Sequence, residues 1–189
     1  PFCVRKCEYC DFLSGPAGKE TQKSYVQALL KEIQGSEDAL DREIVSVFIG
    51  GGTPSLLDAS DISEIMKMLK EKFVFSDHAE VTIEANPGTL TLQKLETYRE
   101  SGINRLSLGL QSVNNDELRM LGRIHDFEEF LESYTLARKA GFDNINVDLM
   151  FAIPGQSRKG WEHNLRTVSE LQPEHISAYS LIIEEGTPF

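Results

Sequence analysis

The chain has 189 residues, of which 40% are hydrophobic and 26% charged. Those proportions fit one folded domain with a real core, and exclude a disordered tail, a low-complexity segment or two ordinary domains. Thirty acidic against nineteen basic residues give a formal net charge of -11, which opposes general affinity for nucleic acid or anionic lipid, and the longest apolar runs, such as 44–49 and 176–183, fall far short of the ~20 residues a membrane span needs.

In chain order, Tyr25, Val26, Leu29, Leu30 and Ile33 recur at helical spacing and predict a helix ending near Gly35. Glu43 to Ile49 is apolar, β-branched and followed by glycines, which predicts a buried strand. Asp58 or Ser60 is positioned to cap a helix whose apolar face carries Ile62, Ile65, Met66 and Leu69. Ala79 to Glu84 reads as the next strand, broken by Pro87 and Gly88. Thr91 can cap a helix through Leu92, Leu95 and Tyr98, with Gly102 as a left-handed stop. Asn104 to Leu110 is strand again. Phe127, Phe130, Leu131, Tyr134 and Ala137 mark a longer helix closed by Gly141, followed by a strand from Asn144 to Met150. Ser157 can cap a last helix through Trp161, Leu165 and Val168, which stops before Pro173, and His175 to Ile183 is the final strand.

Strands joined through helices run parallel and bury both faces, so the expected class is α/β, either an open doubly wound sheet or a partial barrel. No short repeat and no Ser-, Gly- or Pro-rich linker divides the chain, so residues 1–189 read as one domain. Pro1-Phe2-Cys3 has neither an initiator Met nor the layout of a leader, and the sequence reads as an excerpt of something longer.

All three cysteines lie in the first ten residues, as Cys3, Cys7 and Cys10 in the spacing CxxxCxxC. Such a cluster cannot cross-link distant parts of a secreted domain, and points to metal ligation in a reducing compartment, here the cytoplasm. A loop this tight can give three irons of a [4Fe-4S] cubane one thiolate each and leave the fourth open. The competing reading is zinc held by the same thiols and a distant His, although none of the four histidines lies near the cysteines in sequence.

Other polar residues have plain structural readings. Gly50 to Thr53 fits a tight strand-to-helix turn, in which bare backbone can also approach a ligand. Glu84 suits a solvated sheet rim. Gln111 and Asp148 interrupt apolar runs and need hydrogen-bond partners. Arg123 suits a surface ion pair and Tyr9 a ring shielding the cysteines. His125 and His175 read as structural, and Trp161, Met66 and Met68 as core or flank.

The run PFCVRKCEYCDF, followed in order by GGGTPSLL, EANPGT, NRLSLGLQS, LGRIHD, NVDLMFAIPGQS and EEGTPF, resembles the radical S-adenosylmethionine (SAM) superfamily. Within it, the chain is similar to the family of oxygen-independent coproporphyrinogen III oxidase and the heme chaperone HemW. The resemblance implies a partial parallel (β/α)6 barrel with its first strand truncated. It also implies a [4Fe-4S] cluster on Cys3, Cys7 and Cys10, and SAM chelating the open iron. In that family, an electron from the reduced cluster cleaves the sulfonium to a 5'-deoxyadenosyl radical. By the same resemblance Gly51, Gly52 and Thr53 meet the methionyl amine and carboxylate, Glu84 contacts SAM, Gln111 and Asp148 bind the ribose side, Arg123 pairs with the carboxylate, and Tyr9 lies beside the adenine.

The coproporphyrinogen oxidase branch usually carries another cysteine two positions past the third ligand, where this chain has Phe12. The resemblance therefore implies the heme-chaperone branch. Heme or a porphyrinogen is then the partner, with an electron donor such as flavodoxin or ferredoxin and an unidentified heme acceptor protein. The resemblance also implies a carboxyl-terminal domain that closes the site, and in HemW-like proteins carries a heme-binding histidine motif, beyond this sequence. The alternatives are oxidative decarboxylation of two coproporphyrinogen III propionates, or a zinc or electron-transfer module without SAM chemistry.

Overall fold

The computed structural model describes residues 1–37 and 41–189. After a loop carrying the cysteines come α1 (Lys19–Gly35), β1 (Glu43–Ile49), a 3-10 turn (Pro54–Leu56), α2 (Ala59–Lys72), β2 (Val74–Ala85), α3 (Leu92–Glu100) and β3 (Arg105–Gln111). The chain continues through α4 (Asn115–Met120), α5 (Phe127–Lys139), β4 (Ile145–Phe151), α6 (Arg158–Glu170) and β5 (His175–Ser180).

Several predicted helix starts carry the expected chemistry. The Thr91 hydroxyl accepts from Lys94 N at 3.2 Å, and the Ser157 hydroxyl from Gly160 N at 3.1 Å. Asp58 holds the N-cap position of α2 but makes no cap hydrogen bond, because its carboxylate is taken by Lys19 and Lys23 of α1. Ser60, the other candidate, lies inside that helix. β2 starts five residues before the expected Ala79, and β5 stops at Ser180, short of Ile183.

All five strands are parallel, in the order β1-β2-β3-β4-β5. A doubly wound sheet reverses its strand order at a switch point. Here the order never reverses, so successive crossovers of one hand place the helices on a single face and the sheet curls into a partial barrel. The central strands β3 and β4 are buried on both faces, whereas the edge strands β1 and β5 are mostly half-buried or exposed. Ile83, Leu106, Leu108 and Val147 from the sheet pack with Ile62, Met66, Leu95 and Phe130 from the helices. That core fixes the carboxyl ends of the strands against one another, and the cysteine loop lies across them.

Candidate functional site

The loop is seated by its own first residues. Phe2 is buried, edge-on to Tyr25 of α1 at 5.3 Å, and Phe2 and Gly15 form a parallel bridge that closes the loop. Its backbone is then clasped from two sides. Thr53 N donates to Phe2 O at 2.7 Å, and a Cβ on Gly52 would lie 2.8 Å from both Phe2 N and Phe2 O. Opposite, Glu8 N donates to Leu121 O at 3.1 Å, and a Cβ on Gly122 would lie 2.9 Å from Glu8 Cγ. Both glycines have left-handed φ, 56° and 73°. Each position therefore needs glycine twice over, for its backbone and for the approach of the loop.

The cysteines are free thiols, all half-buried. Thr53 Oγ1 donates to Cys3 Sγ at 3.7 Å, and Arg123 Nη1 to Cys7 Sγ at 3.6 Å. Burial pushes the Cys10 thiol pKa up, and the other two sulfurs add to that. Bound cations would remove the mutual repulsion that three nearby thiolates feel.

Beside Cys7 is a recess lined by Thr53, Asn86 and Arg123, with Val4 and Ile124 at its margin. Arg123 Nη2 donates to Asn86 Oδ1 at 2.8 Å and to Gly109 O at 2.5 Å, and Asn86 Nδ2 donates to Thr53 Oγ1 at 2.9 Å. The buried Nε of Arg123 has no partner among the described residues. That N–H is a ready donor for an anionic group, and a two-pronged side-on grip on a carboxylate by Nε and Nη2 requires Nη2 to release Gly109 or Asn86.

Farther round the rim, Gly51 N donates to Glu84 Oε2 at 2.9 Å, and Tyr179 OH donates to the side-chain oxygen of Gln111 at 2.7 Å. Gln111 ends β3 in the left-handed region, with φ 77°. Asp148 lies inside β4, where it accepts from Asn146 Nδ2 at 2.7 Å and from Ser107 Oγ at 3.3 Å. Burial pushes the Asp148 carboxyl up, against the pull of those donors. Burial likewise raises Glu84, and the charge of Asp148 adds to it. Two half-buried carboxyls raised by burial suit a ligand that brings hydroxyl donors or positive charge to them. Tyr9 packs against the small apolar cluster of Leu121, Met150 and Ile153, and burial drives its phenol strongly up.

Among the described residues, no three His, Cys, Asp or Glu side chains come close enough to share one metal ion. A mononuclear zinc site needs that convergence, whereas a cubane takes one thiolate on each of three irons. The donor set of three spaced thiols, together with the unpartnered Arg123 N–H beside one of them, fits a cluster and an anionic co-ligand. A wider cleft between α2 and α3, lined by Asp58, Ser60 and Lys94, lies away from the cysteines, and its Lys94 already donates to Ser55 O at 2.5 Å.

The fold brings Thr53 and Arg123 to Cys3 and Cys7, and sets Gly51 on Glu84. Gly52 takes up the cysteine loop itself. Sequence reasoning missed Asn86, which links Thr53 to Arg123, and Tyr179, which holds Gln111. Asn86 could have been found as a polar residue directly after a strand and before Pro87. Tyr179 sits one residue before the carboxyl end of β5, and Glu84 and Gln111 likewise lie at or next to the carboxyl ends of β2 and β3.

The family model described as the radical SAM superfamily matches residues 1–168. The chain belongs to that superfamily. Its curated relatives include heme chaperones named HemW and a mitochondrial radical S-adenosyl methionine domain-containing protein 1 of Danio rerio, 38% identical over 99% of this chain. The heme chaperone HemW of Haemophilus influenzae is 41% identical over all of this chain and 51% of its own length, and that of Bacillus subtilis is 39% identical over all of this chain and 50% of its own. The chain thus spans about half the length of the curated relatives it matches. Among solved structures, Escherichia coli coproporphyrinogen III oxidase, HemN, superposes with a TM-score of 0.87 at 33% identity, covering 96% of this chain and 42% of that one. Streptococcus suis SuiB bound to SAM shares the fold alone, with a TM-score of 0.66 at 17% identity over 99% of this chain and 40% of that one.

Proposed function

We propose that Cys3, Cys7 and Cys10 hold a [4Fe-4S] cluster, that SAM takes the open iron, and that the protein to which this chain belongs delivers heme as a HemW-like chaperone. The observation that carries the reading is the single recess in which Cys7, Thr53, Asn86 and Arg123 meet. When bound, the cluster supplies one electron to the sulfonium of SAM.

The chain's own residues do the rest. Thr53 and Arg123 steady two thiolates by hydrogen bonds. Arg123 offers its free N–H to the methionyl carboxylate, and Gly51 leaves open backbone for the methionyl end, since nothing lies within 4 Å of a Cβ built there. Glu84, Gln111 and Asp148 line the adenosyl side, with Gln111 and Asp148 as acceptors for ribose hydroxyls, and Tyr9 lies beside the adenine. Heme, a flavodoxin- or ferredoxin-type electron donor and a heme acceptor protein, all in the cytoplasm, are the partners of this reading. The HemW relatives and the Phe12 that stands where the oxidase branch has cysteine support it. No described helix is long and apolar enough to cross a membrane.

The second reading is oxidative decarboxylation of coproporphyrinogen III, favoured by the likeness to HemN. Anaerobic reconstitution of the full-length protein separates the two. Heme uptake without protoporphyrinogen formation is expected, and formation of protoporphyrinogen overturns the chaperone assignment. Iron counting on Cys7→Ala should find the cluster lost, and retention of four irons would contradict the cluster reading.

A further inference from the structure

Along the β3–β4 ladder, Leu108 pairs with Val147 but Gln111 pairs with Leu149, so Gly109 and Leu110 stand opposite the single residue Asp148. The extra residue makes a bulge, a device that re-aims the side chain beyond it. Here that side chain is Gln111, whose backbone turns to φ 77°. A left-handed glutamine is costly and persists only where the surroundings hold it.

Two side chains take the carbonyls of the bulge, and both come from the segment between α4 and α5. Arg123 Nη2 donates to Gly109 O at 2.5 Å, and the buried His125 lies with Nε2 3.2 Å from Leu110 O. A carbonyl only accepts, so the imidazole carries its proton on Nε2. Its Nδ1 is buried without a partner among the described residues. Burial, and then the charge of Arg123, push the His125 pKa down to about 3, so the ring is a neutral donor at any pH the cell reaches.

We propose that His125 is a positioning residue of the SAM site: its Nε2–H pins the Leu110 carbonyl, and the pinned bulge sets the backbone that presents Gln111 to the ligand. His125 touches neither cluster nor SAM in this account. The inference rests on the reading of Gln111 as a ribose-side contact, and its test is built to fail separately from that reading.

In the full-length reconstituted protein, SAM affinity is measured for His125→Ala, His125→Gln, Gln111→Ala and the double variant His125→Ala/Gln111→Ala. Hydrogen exchange across residues 105–118 is followed without SAM. His125→Ala should weaken SAM about tenfold and speed exchange at the bulge, while His125→Gln, which can donate to the same carbonyl, should restore both. The double variant should bind no more weakly than Gln111→Ala, because His125 acts through that residue. If Gln111→Ala leaves the affinity unchanged, the ribose reading fails and takes the inference with it. If Gln111→Ala weakens binding but His125→Ala does not, or if the two losses simply add, the positioning role alone is overturned. Slow exchange at the bulge in His125→Ala would overturn it as well, whatever the protein's thermal stability.

Discussion

Asn86 and Arg123 share a 2.8 Å hydrogen bond across two loops that are 37 residues apart in sequence, and the same asparagine donates to Thr53. One side chain therefore ties the glycine loop after β1 to the arginine that faces Cys7. Truncating it leaves the Arg123 fork free to turn and Thr53 without one of its partners.

Asn86→Ala should accordingly keep its iron but bind SAM roughly ten- to a hundredfold more weakly, the loss that follows from about 1.5–3 kcal/mol for a hydrogen bond to a charged group. Calorimetric titration of the reconstituted protein checks this. Unchanged affinity would remove Asn86 from the site.

The two glycines after β1 should behave differently. Alanine at Gly52 carries a left-handed backbone, costing about 1–2 kcal/mol, and also drives its Cβ to 2.8 Å from the Phe2 backbone. Alanine at Gly51 has a left-handed φ of 83° but meets nothing within 4 Å. Iron content after reconstitution should therefore drop in Gly52→Ala well below that of Gly51→Ala. Equal iron in both would show that the clasp on the cysteine loop does not matter to cluster assembly.

Asp148 carries a stability cost that depends on pH. Its carboxyl is raised above the ordinary 3.8, first by burial. A group raised in the folded state contributes stability below its unfolded value and loses that contribution as pH rises through the folded one. Asp148→Asn should then melt higher than the parent at neutral pH, by about 2–4 °C for each kcal/mol recovered in a chain of this size, and the difference should vanish near pH 3.8. The same variant should bind SAM more weakly. Thermal melts of both proteins at several pH values test the first claim, and a constant difference across the series would refute it.

The strands and the cysteine loop were legible because their signals are local. Val, Ile and Phe in 43–49 and the spacing of Cys3, Cys7 and Cys10 depend on no distant residue. β2 begins early because Val74 and Phe75 pair with Glu43 and Ile44 of the edge strand β1, ahead of a register shift, while Ser76, Asp77 and His78 break its apolar pattern. α4, at six residues, is too short to show helical periodicity. The capping box of Asp126 and Glu129 at the start of α5 is written in the sequence as D-x-x-E and went unread. The site was legible only in part. Gln111 and Asp148 stood out as polar residues in apolar runs and Glu84 as a lone acid at a strand end, but Gly52 packs on Phe2 and Asn86 on Arg123 through contacts that no spacing rule reaches.

The central claim is that three thiolates leave one iron open to SAM, and electron paramagnetic resonance of the reduced full-length protein, with and without SAM labelled with nitrogen-15 at its amine, tests it most directly. The account predicts a spectrum that changes on adding SAM and a hyperfine coupling from the amine nitrogen to the cluster. A signal indifferent to SAM, with no such coupling, would mean that the fourth iron is closed and that the chain keeps the fold of its superfamily without its chemistry.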